Sequence, residues 1–194
     1  MPEMNPVSRF FVNLSARRRA ARNYRWIRQE VPIPPGAACL EVGCGNGSLA
    51  AQILEGFHPS LYVATDVDPR QVESARRELS RRYPSGLPAA LLLQQADMLH
   101  LPFADHSFDV VFAFVAIHHA SATHEDYSRV PDALAELTRV LRPVGCLVYQ
   151  EIFHKVRIRE WLLGHGYSIE RFRSQWRRES VAARRGPVPP PTAA

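Results

Sequence analysis

A glycine-rich stretch carries the first residues whose types and spacing could do chemistry. Gly43, Gly45 and Gly47 follow directly after the apolar run of residues 38–42. Glycine tolerates positive φ in a tight turn, and without a side chain it lets a ligand approach bare backbone. The N–H groups of such a loop, and of the helix after it, offer partial positive charge to a carboxylate or phosphate. The stretch therefore predicts a ligand-binding turn between a buried strand and a helix.

An acidic residue at the end of the next apolar run supplies a second binding group. Asp66 follows residues 61–65 and lies 19 positions after Gly47. In Rossmann-type folds a carboxylate at an offset of about 20 residues accepts hydrogen bonds from both hydroxyls of a ribose. An acid that ends an apolar strand without a partner would also be costly. The glycine loop and the distal acid together predict a nucleoside-type ligand.

Two adjacent histidines offer acid–base chemistry. His118 and His119 come just past the fourth predicted strand, and a histidine of near-neutral pKa can take a proton from a hydroxyl, an amine or an acidic carbon. Alternatively, one of the two packs and the other binds backbone. With His124, Glu125 and Asp126 they also suggest a metal site. Adjacent histidines rarely reach one ion unless the loop is bent, so we expect no metal.

The elements that must position these residues alternate between strand and helix patterns. This order predicts an α/β fold: a Rossmann-like, doubly wound, seven-stranded and mostly parallel sheet with helices on both faces and a C-terminal antiparallel hairpin. A turn is expected at 143–145 and loose chain over 1–9. The predicted strands are 38–42, 61–65, 89–94, 108–114, 146–153, 167–173 and 179–184, and the predicted helices are 10–30, 46–55, 69–83, 132–141 and 157–163.

The candidate residues share one rim of this sheet. Ligands of parallel α/β sheets bind beyond the carboxyl ends of the strands. The glycine loop, Asp66, Asp97 and the segment 114–119 each follow the carboxyl end of a different predicted strand. We therefore expect these four places to form one site.

Composition sets the broad class. With 194 residues the chain is long enough for one domain with a full core. The apolar run 110–117 is too short to span a bilayer, and the odd number of cysteines fits reduced thiols in a cytoplasmic protein. Both ends of the chain are basic and the middle is acidic. Basic ends could bind nucleic acid, but solvated surface is the favoured interpretation, because Lys155 is the single lysine and arginine replaces lysine throughout.

Read together, these motifs resemble those of class I S-adenosylmethionine-dependent methyltransferases, most closely the subgroup related to ubiquinone and menaquinone biosynthesis enzymes. The resemblance covers residues 38–185. It departs from the family pattern at Val144, where a second glycine usually follows the proline. The matching stretches are LEVGCGNGSLA (40–50), ATDVDPRQVESAR (64–76), ADMLHLPFADHSFDVVFAFVAIHH (96–119) and ALAELTRVLRPVGCLV (133–148).

The resemblance implies a role for each candidate residue toward S-adenosylmethionine. The three glycines would pass under the methionine part of the cofactor, with Glu41 steadying the loop. Asp66 would accept the ribose hydroxyls, with Val67 against the adenine. Asp97 would accept the adenine amino group, with Met98 on the ring face. The implied cofactor-binding set is Glu41, Gly43, Cys44, Gly45, Gly47, Asp66, Val67, Asp97, Met98 and Phe114, and the candidate catalytic residues are His118 and His119.

The function implied is methyl transfer to a small organic acceptor by in-line displacement, yielding S-adenosylhomocysteine. Nucleic-acid enzymes of this class that methylate amino groups carry an Asn/Asp-Pro-Pro-aromatic tetrad after the fourth strand. That tetrad is absent here, where residues 113–116 read Ala-Phe-Val-Ala. An RNA methyltransferase, a non-catalytic S-adenosylmethionine-binding protein and a nicotinamide-dependent oxidoreductase stay as alternatives. The expected organisation is a helical segment over 1–35 that forms a lid or packs on the sheet edge, a methyltransferase domain over 36–185, and a disordered proline-rich tail over 186–194.

Overall fold

The structure is a computed structural model that describes residues 6–175 and 177–186. The predicted tail therefore lies outside the described residues from position 187 onward. Within them, no helix has the length and apolar character needed to cross a bilayer. The elements in chain order are α1 (Pro6–Glu30), β1 (Ala38–Val42), α2 (Ser48–Phe57), β2 (Leu61–Asp66), α3 (Pro69–Arg82), β3 (Leu91–Gln95), β4 (Phe108–Phe114), a 3₁₀ helix (Ile117–Ala120), α4 (Val130–Arg139), β5 (Leu141–Glu151), α5 (Lys155–Gly164), β6 (Tyr167–Gln175) and β7 (Arg178–Arg185).

The described strands form one seven-stranded sheet in the order β3-β2-β1-β4-β5-β7-β6. Strands β1 to β5 run parallel, whereas β7 pairs antiparallel with both β5 and β6. The Rossmann-like fold with its closing hairpin is thereby confirmed. The order of the strands reverses beside β1, which places the glycine loop at the switch point of the sheet.

Two hydrophobic clusters show that helices cover both faces of the sheet. Side chains alternate across β1, so that Leu40 packs in one cluster and Cys39 in the other. Leu134 of α4 and Ile158 of α5 join the first cluster. Helices α1, α2 and α3 contribute to the second, for example through Ile27. All three cysteines are buried and free, as expected from their odd number.

Two local predictions are wrong. The chain does not turn at 143–145, because β5 already begins at Leu141, which pairs with Phe108 of β4. The register shifts between Phe108 and Val110, so the strand absorbs the extra residues as an irregularity. Pro143 is exposed there, where its missing N–H costs no ladder hydrogen bond. The second error is at the start, where α1 begins at Pro6 within the stretch expected to be loose.

Helix α1 is part of the folded core at its C-terminal end. Trp26 and Ile27 are buried in the same cluster as residues of α2 and of the central strands. Asn23 is also buried, and its side-chain oxygen accepts a hydrogen bond from Gln150 at 3.2 Å. The separate lid segment over 1–35 stays a prediction, and these contacts favour packing over free movement.

Replacing Ile27 by alanine tests whether α1 belongs to the core. Ile27 has no exposed surface, and removing a fully buried isoleucine side chain typically costs about 2–5 kcal/mol. We expect Ile27→Ala to lower the free energy of unfolding by that amount in urea titrations. The matched control is Arg25→Ala, about half a helical turn away on the exposed side of α1. This substitution should change the free energy of unfolding by less than about 0.5 kcal/mol. Equal effects of the two substitutions would show that α1 does not contribute to the core.

Candidate functional site

The glycine loop connects β1 to α2 through backbone conformations that only glycine adopts readily. Gly43, Gly45 and Gly47 have φ values of 72°, 54° and 71°. The N–H of Cys44 donates to the carbonyl oxygen of Thr65 at 2.8 Å, which ties the loop to the end of β2. The loop is therefore held against the neighbouring strand by its own backbone.

The three glycines serve different purposes. A Cβ atom on Gly43 would lie 2.8 Å from the Cβ of Ala116, and one on Gly47 would lie 3.1 Å from side-chain atoms of Ala75 and of Leu79. A side chain at Gly43 would therefore clash, and one at Gly47 would be tightly packed. A Cβ on Gly45 would meet nothing within 4 Å. Gly45 faces open space, so a ligand could lie directly on the backbone of the loop at this position.

Asp66 binds the glycine loop directly. One carboxylate oxygen accepts the N–H of Gly45 at 3.0 Å, and the other accepts the N–H of Asp68 at 3.1 Å. These bonds satisfy the acid at the end of β2, and each carboxylate oxygen keeps further acceptor capacity. Such an oxygen pair can accept the two hydroxyls of a ribose while it also shapes the loop.

Glu41 is a buried acid beneath the loop. Its carboxylate accepts the hydroxyl of Tyr62 at 2.8 Å, and its backbone oxygen accepts the hydroxyl of Thr65 at 3.0 Å. Burial raises the pKa of Glu41 to about 8, and the charge of Asp66 acts in the same direction, while the hydrogen bond from Tyr62 opposes both. Near neutral pH this side chain is therefore largely protonated.

A cavity of about 470 Å³ opens between the glycine loop and α1. Its walls are formed by the loop, by the ends of β4 and β5, by the start of β7 and by one face of α1. Five of the predicted cofactor-binding residues line it, namely Glu41, Gly43, Cys44, Gly45 and Phe114. Its other lining residues are Ala16, Arg19, Ala20, Asn23, Asn46, Ser48, Leu49, Gln71, Val115, Gln150 and Arg178.

The other predicted binding residues do not line this cavity. Val67 is 59% exposed. Asp97 is exposed and its carboxylate accepts the N–H of Leu99 at 2.9 Å, so it caps a local turn. Met98 is buried in the core cluster that contains β4. These three residues follow β2 and β3 at the same sheet edge as Asp66.

Several cavity residues were missed by sequence reasoning. Gln150 is buried and donates from its amide to the oxygens of Asn23 and Ser180, at 3.2 and 2.9 Å. These two hydrogen bonds connect α1 to β5 and β7, and they thereby hold one wall of the cavity in position. A glutamine inside an apolar strand pattern was the available signal. Val115 has a φ of 59°, a conformation that β-branched residues rarely adopt, and nothing in the sequence announces it.

The two predicted catalytic histidines differ in environment. His118 is buried, and its Nδ1 atom lies 2.6 Å from a carboxylate oxygen of Glu151, which is fully buried. The other oxygen of Glu151 accepts the N–H of Ile117 at 2.7 Å. His119 is exposed; partial desolvation and the neighbouring His118 and His124 lower its pKa.

The structure brings the two predicted histidines together with His124, and the expectation that no metal binds there stays a prediction. The 3₁₀ helix bends the chain after β4, so that the rings of His118 and His119 have centroids 4.1 Å apart. The ring of His124 lies 5.0 Å from the first and 5.1 Å from the second. The cluster adjoins the cavity through Ala116, which touches Gly43.

Comparison with known proteins gives one family for this chain. Residues 40–149, more than half of the chain, match the family model described as "Methyltransferase domain". A phthiotriol/phenolphthiotriol dimycocerosates methyltransferase of Mycobacterium leprae is 33% identical over 126 residues, which are 65% of this chain and 42% of that protein. Sterol 24-C-methyltransferase ERG6B of Gibberella zeae is 33% identical over 137 residues, 71% of this chain and 33% of its own length. The chain thus spans less than half the length of these relatives.

A solved structure supports the fold. A SAM-dependent methyltransferase from Aquifex aeolicus aligns with a TM-score of 0.67 at 18% identity, covering 82% of this chain and 88% of that one. At this identity the likeness concerns the fold alone, and the topology described above agrees with it.

Replacing Glu41 by glutamine tests the buried carboxyl. An acid whose pKa is raised by folding costs stability progressively as the pH rises from its unfolded pKa, near 4.5, to its folded pKa, about 8. Glutamine keeps the shape and an acceptor for Tyr62 without this penalty. We expect Glu41→Gln to gain stability relative to the parent chain across that window, by up to about 1.4 kcal/mol per pH unit.

The measurement is urea unfolding of both proteins at several pH values between 5 and 8. Glu73→Gln, which replaces an exposed carboxyl on α3, is the control for the loss of a carboxyl that is not buried. A pH-independent difference for Glu41→Gln would contradict the raised pKa.

Proposed function

Because the chain belongs to the methyltransferase domain family, we propose that it transfers the methyl group of S-adenosylmethionine to a small organic acceptor. When bound, this cofactor supplies a methyl group on a sulfonium, already activated for in-line displacement by an oxygen, nitrogen or carbon of the acceptor. The protein then has to align the two reactants and exclude water. The chain spans less than half the length of the relatives that it matches. The acceptors of those relatives are therefore not carried over to this chain, and its acceptor is part of the proposal.

The bond between Asp66 and the N–H of Gly45 carries this proposal. It brings the predicted ribose acceptor to 3.0 Å from the loop predicted to pass under the methionine part. Gly45 adds a positive φ and open space above its Cα atom. A loop and an acid that are already joined form one binding surface for both ends of a nucleoside-linked amino acid.

We assign the carboxylate of the cofactor's methionine part to the arginine side of the cavity. Arg19 of α1 and Arg178 of β7 both line it. Desolvation lowers the pKa of Arg178, and the charges of Arg19 and Arg22 lower it further. An anion among these guanidinium groups would relieve that repulsion, as arginine clusters do for carboxylates.

The adenine would lie on the rim beside the cavity. Val67 offers an exposed apolar surface. One oxygen of Asp97 accepts the N–H of Leu99, and the other would accept the amino group of the adenine. Met98 is buried in the core, so its proposed contact is at the edge of the pocket that would hold the adenine ring. These three roles stay predictions from the family resemblance.

The histidine cluster faces the acceptor side of the proposed reaction. His118 is oriented as a base would be. Glu151 is hydrogen-bonded to Nδ1 of its ring, so Nε2 is the nitrogen that would take up a proton. His119 is exposed and its lowered pKa favours the neutral form. Either residue can take a proton from an acceptor whose nucleophile must be deprotonated.

Substituting Asp66 tests the cofactor assignment. Asp66→Ala removes an acceptor for the ribose and for the N–H of Gly45, and hydrogen bonds to a charged group contribute about 1.5–3 kcal/mol each. We expect the affinity for S-adenosylmethionine and S-adenosylhomocysteine to fall by at least about tenfold to a hundredfold per lost bond. Titration calorimetry with both compounds measures this.

The controls separate binding from folding and from an alternative cofactor. Asp66→Asn keeps one oxygen for Gly45 and should lose less affinity, while Asp132→Ala on the exposed side of α4 should lose none. The parent chain should not bind NAD. Binding of NAD alone, or unchanged S-adenosylmethionine affinity in Asp66→Ala, would contradict the proposed function.

Substituting the histidines tests the acceptor side. His118→Asn keeps a donor for the buried Glu151, and His119→Ala removes an exposed ring. We expect both variants to bind S-adenosylmethionine with parental affinity, and at least one to lower turnover by about a hundredfold or more, the usual contribution of a general base. The readout is S-adenosylhomocysteine formation with an acceptor found by screening. Normal turnover in both variants would remove the histidines from the reaction.

A further inference from the structure

We propose that His118, His119 and His124 form a binding site for one divalent transition-metal ion of the zinc class. Each of the three side chains offers a ring nitrogen, and these atoms all lie within 4.8 Å of one another. Imidazole nitrogen is the commonest protein ligand for such ions. The site involves none of the residues proposed to bind the cofactor.

The geometry needs only a small contraction to close around an ion. Three nitrogens on a tetrahedron with metal–nitrogen bonds of about 2.0 Å lie about 3.3 Å from one another. His119 and His124 are exposed, so their rings have room on the solvent side to turn toward a common centre. The 3₁₀ helix already bends the chain as two adjacent histidine ligands require.

Glu151 prepares His118 as a ligand. Its carboxylate is hydrogen-bonded to Nδ1 of His118 at 2.6 Å. It also accepts hydrogen bonds from the N–H groups of Ile117 and Ile152, at 2.7 and 3.3 Å. A proton on Nδ1 leaves the lone pair of Nε2 for a metal. Carboxylate–histidine pairs of this kind orient the ligands of zinc sites.

Phe153 supports the third ligand. The ring of His124 stacks on it with centroids 5.1 Å apart and an angle of 13° between the planes. The same phenylalanine lies 5.1 Å from the ring of His118. Phe153 thus forms an apolar wall beside two of the three proposed ligands.

The ligand set selects the class of ion. Mg²⁺ and Ca²⁺ require oxygen ligands, whereas three neutral imidazoles suit Zn²⁺, Ni²⁺ or Cu²⁺. Both carboxylate oxygens of the nearby Asp126 are bonded to Ser128, at 2.8 and 3.0 Å. Three protein ligands also leave a fourth position open, as in catalytic zinc sites.

The open position would take the oxygen of an acceptor, and this role rests on the proposed function. A hydroxyl bound to such an ion would lose its proton to solvent more readily than a free hydroxyl, and the ion would then take the place of the histidine base considered above. A ring nitrogen that binds the ion cannot also take a proton. Metal binding itself does not depend on the identity of the cofactor or the acceptor.

The test is titration of the untagged, metal-free chain with Zn²⁺ alone in the absence of S-adenosylmethionine. We expect one ion per chain, a rise in melting temperature with added Zn²⁺, and no comparable response to Mg²⁺. His119→Ala and His124→Ala should each weaken Zn²⁺ binding at least a hundredfold. Both side chains are exposed, so these variants should fold normally. His58→Asn, which replaces an exposed histidine at the C-cap of α2, should bind as the parent does.

Glu151→Gln gives a second readout of the geometry. We expect it to weaken Zn²⁺ binding by about 10- to 100-fold, the usual effect of losing an outer-shell partner. The visible absorption of bound Co²⁺ should also change. The proposal is overturned if the parent chain binds no Zn²⁺, or if binding survives both His119→Ala and His124→Ala. Calorimetry of S-adenosylmethionine on the metal-free chain tests the proposed function separately.

Discussion

The contact between Gly43 and Ala116 is the constraint on which the rest of the site depends. A side chain on Gly43 would approach the Cβ of Ala116 to 2.8 Å, so β1 and β4 can end beside each other only if one of them carries glycine there. Gly43 opens the loop that lines the cavity, and Ala116 directly precedes the 3₁₀ helix that carries two histidines. One close approach of two backbones therefore sets the distance between the glycine-loop half of the site and the histidine half. Both halves sit at the switch point of the sheet, where the strand order reverses.

Much of the scaffold could be predicted because its signals are local. The run 108–114 coincides with β4, since a strand buried on both faces is continuously apolar. Helix α3 begins at Pro69 after Asp68, whose side chain caps the N–H of Arg70 at 2.9 Å. The glycine loop and its neighbouring acid were likewise visible from spacing alone. The strand and the helix start are decided by residues a few positions apart, and the loop and its acid by a spacing of 19 positions.

What could not be predicted depends on contacts between distant parts of the chain. The partner of His118 is 33 residues away, and the partner of Gln150 in α1 is 127 residues away. Neither pairing leaves a periodic pattern. The turn expected near Pro143 failed for a related reason, because pairing of β5 with β4 overrides the local preference of Pro and Gly for turns. The convergence of the histidines follows from a single bend whose angle the sequence does not encode in any simple motif.

The buried carboxyl of Glu41 gives the floor of the cavity a charge that depends on what lies above it. Glu41 lines the cavity, and burial raises its pKa to about 8. A cation nearby favours the ionised form of a carboxyl. A positively charged ligand lying directly above Glu41 would therefore lower the pKa of this acid, whereas a neutral ligand in the same place would leave its proton bound. What occupies the cavity and the protonation of its floor would then be linked.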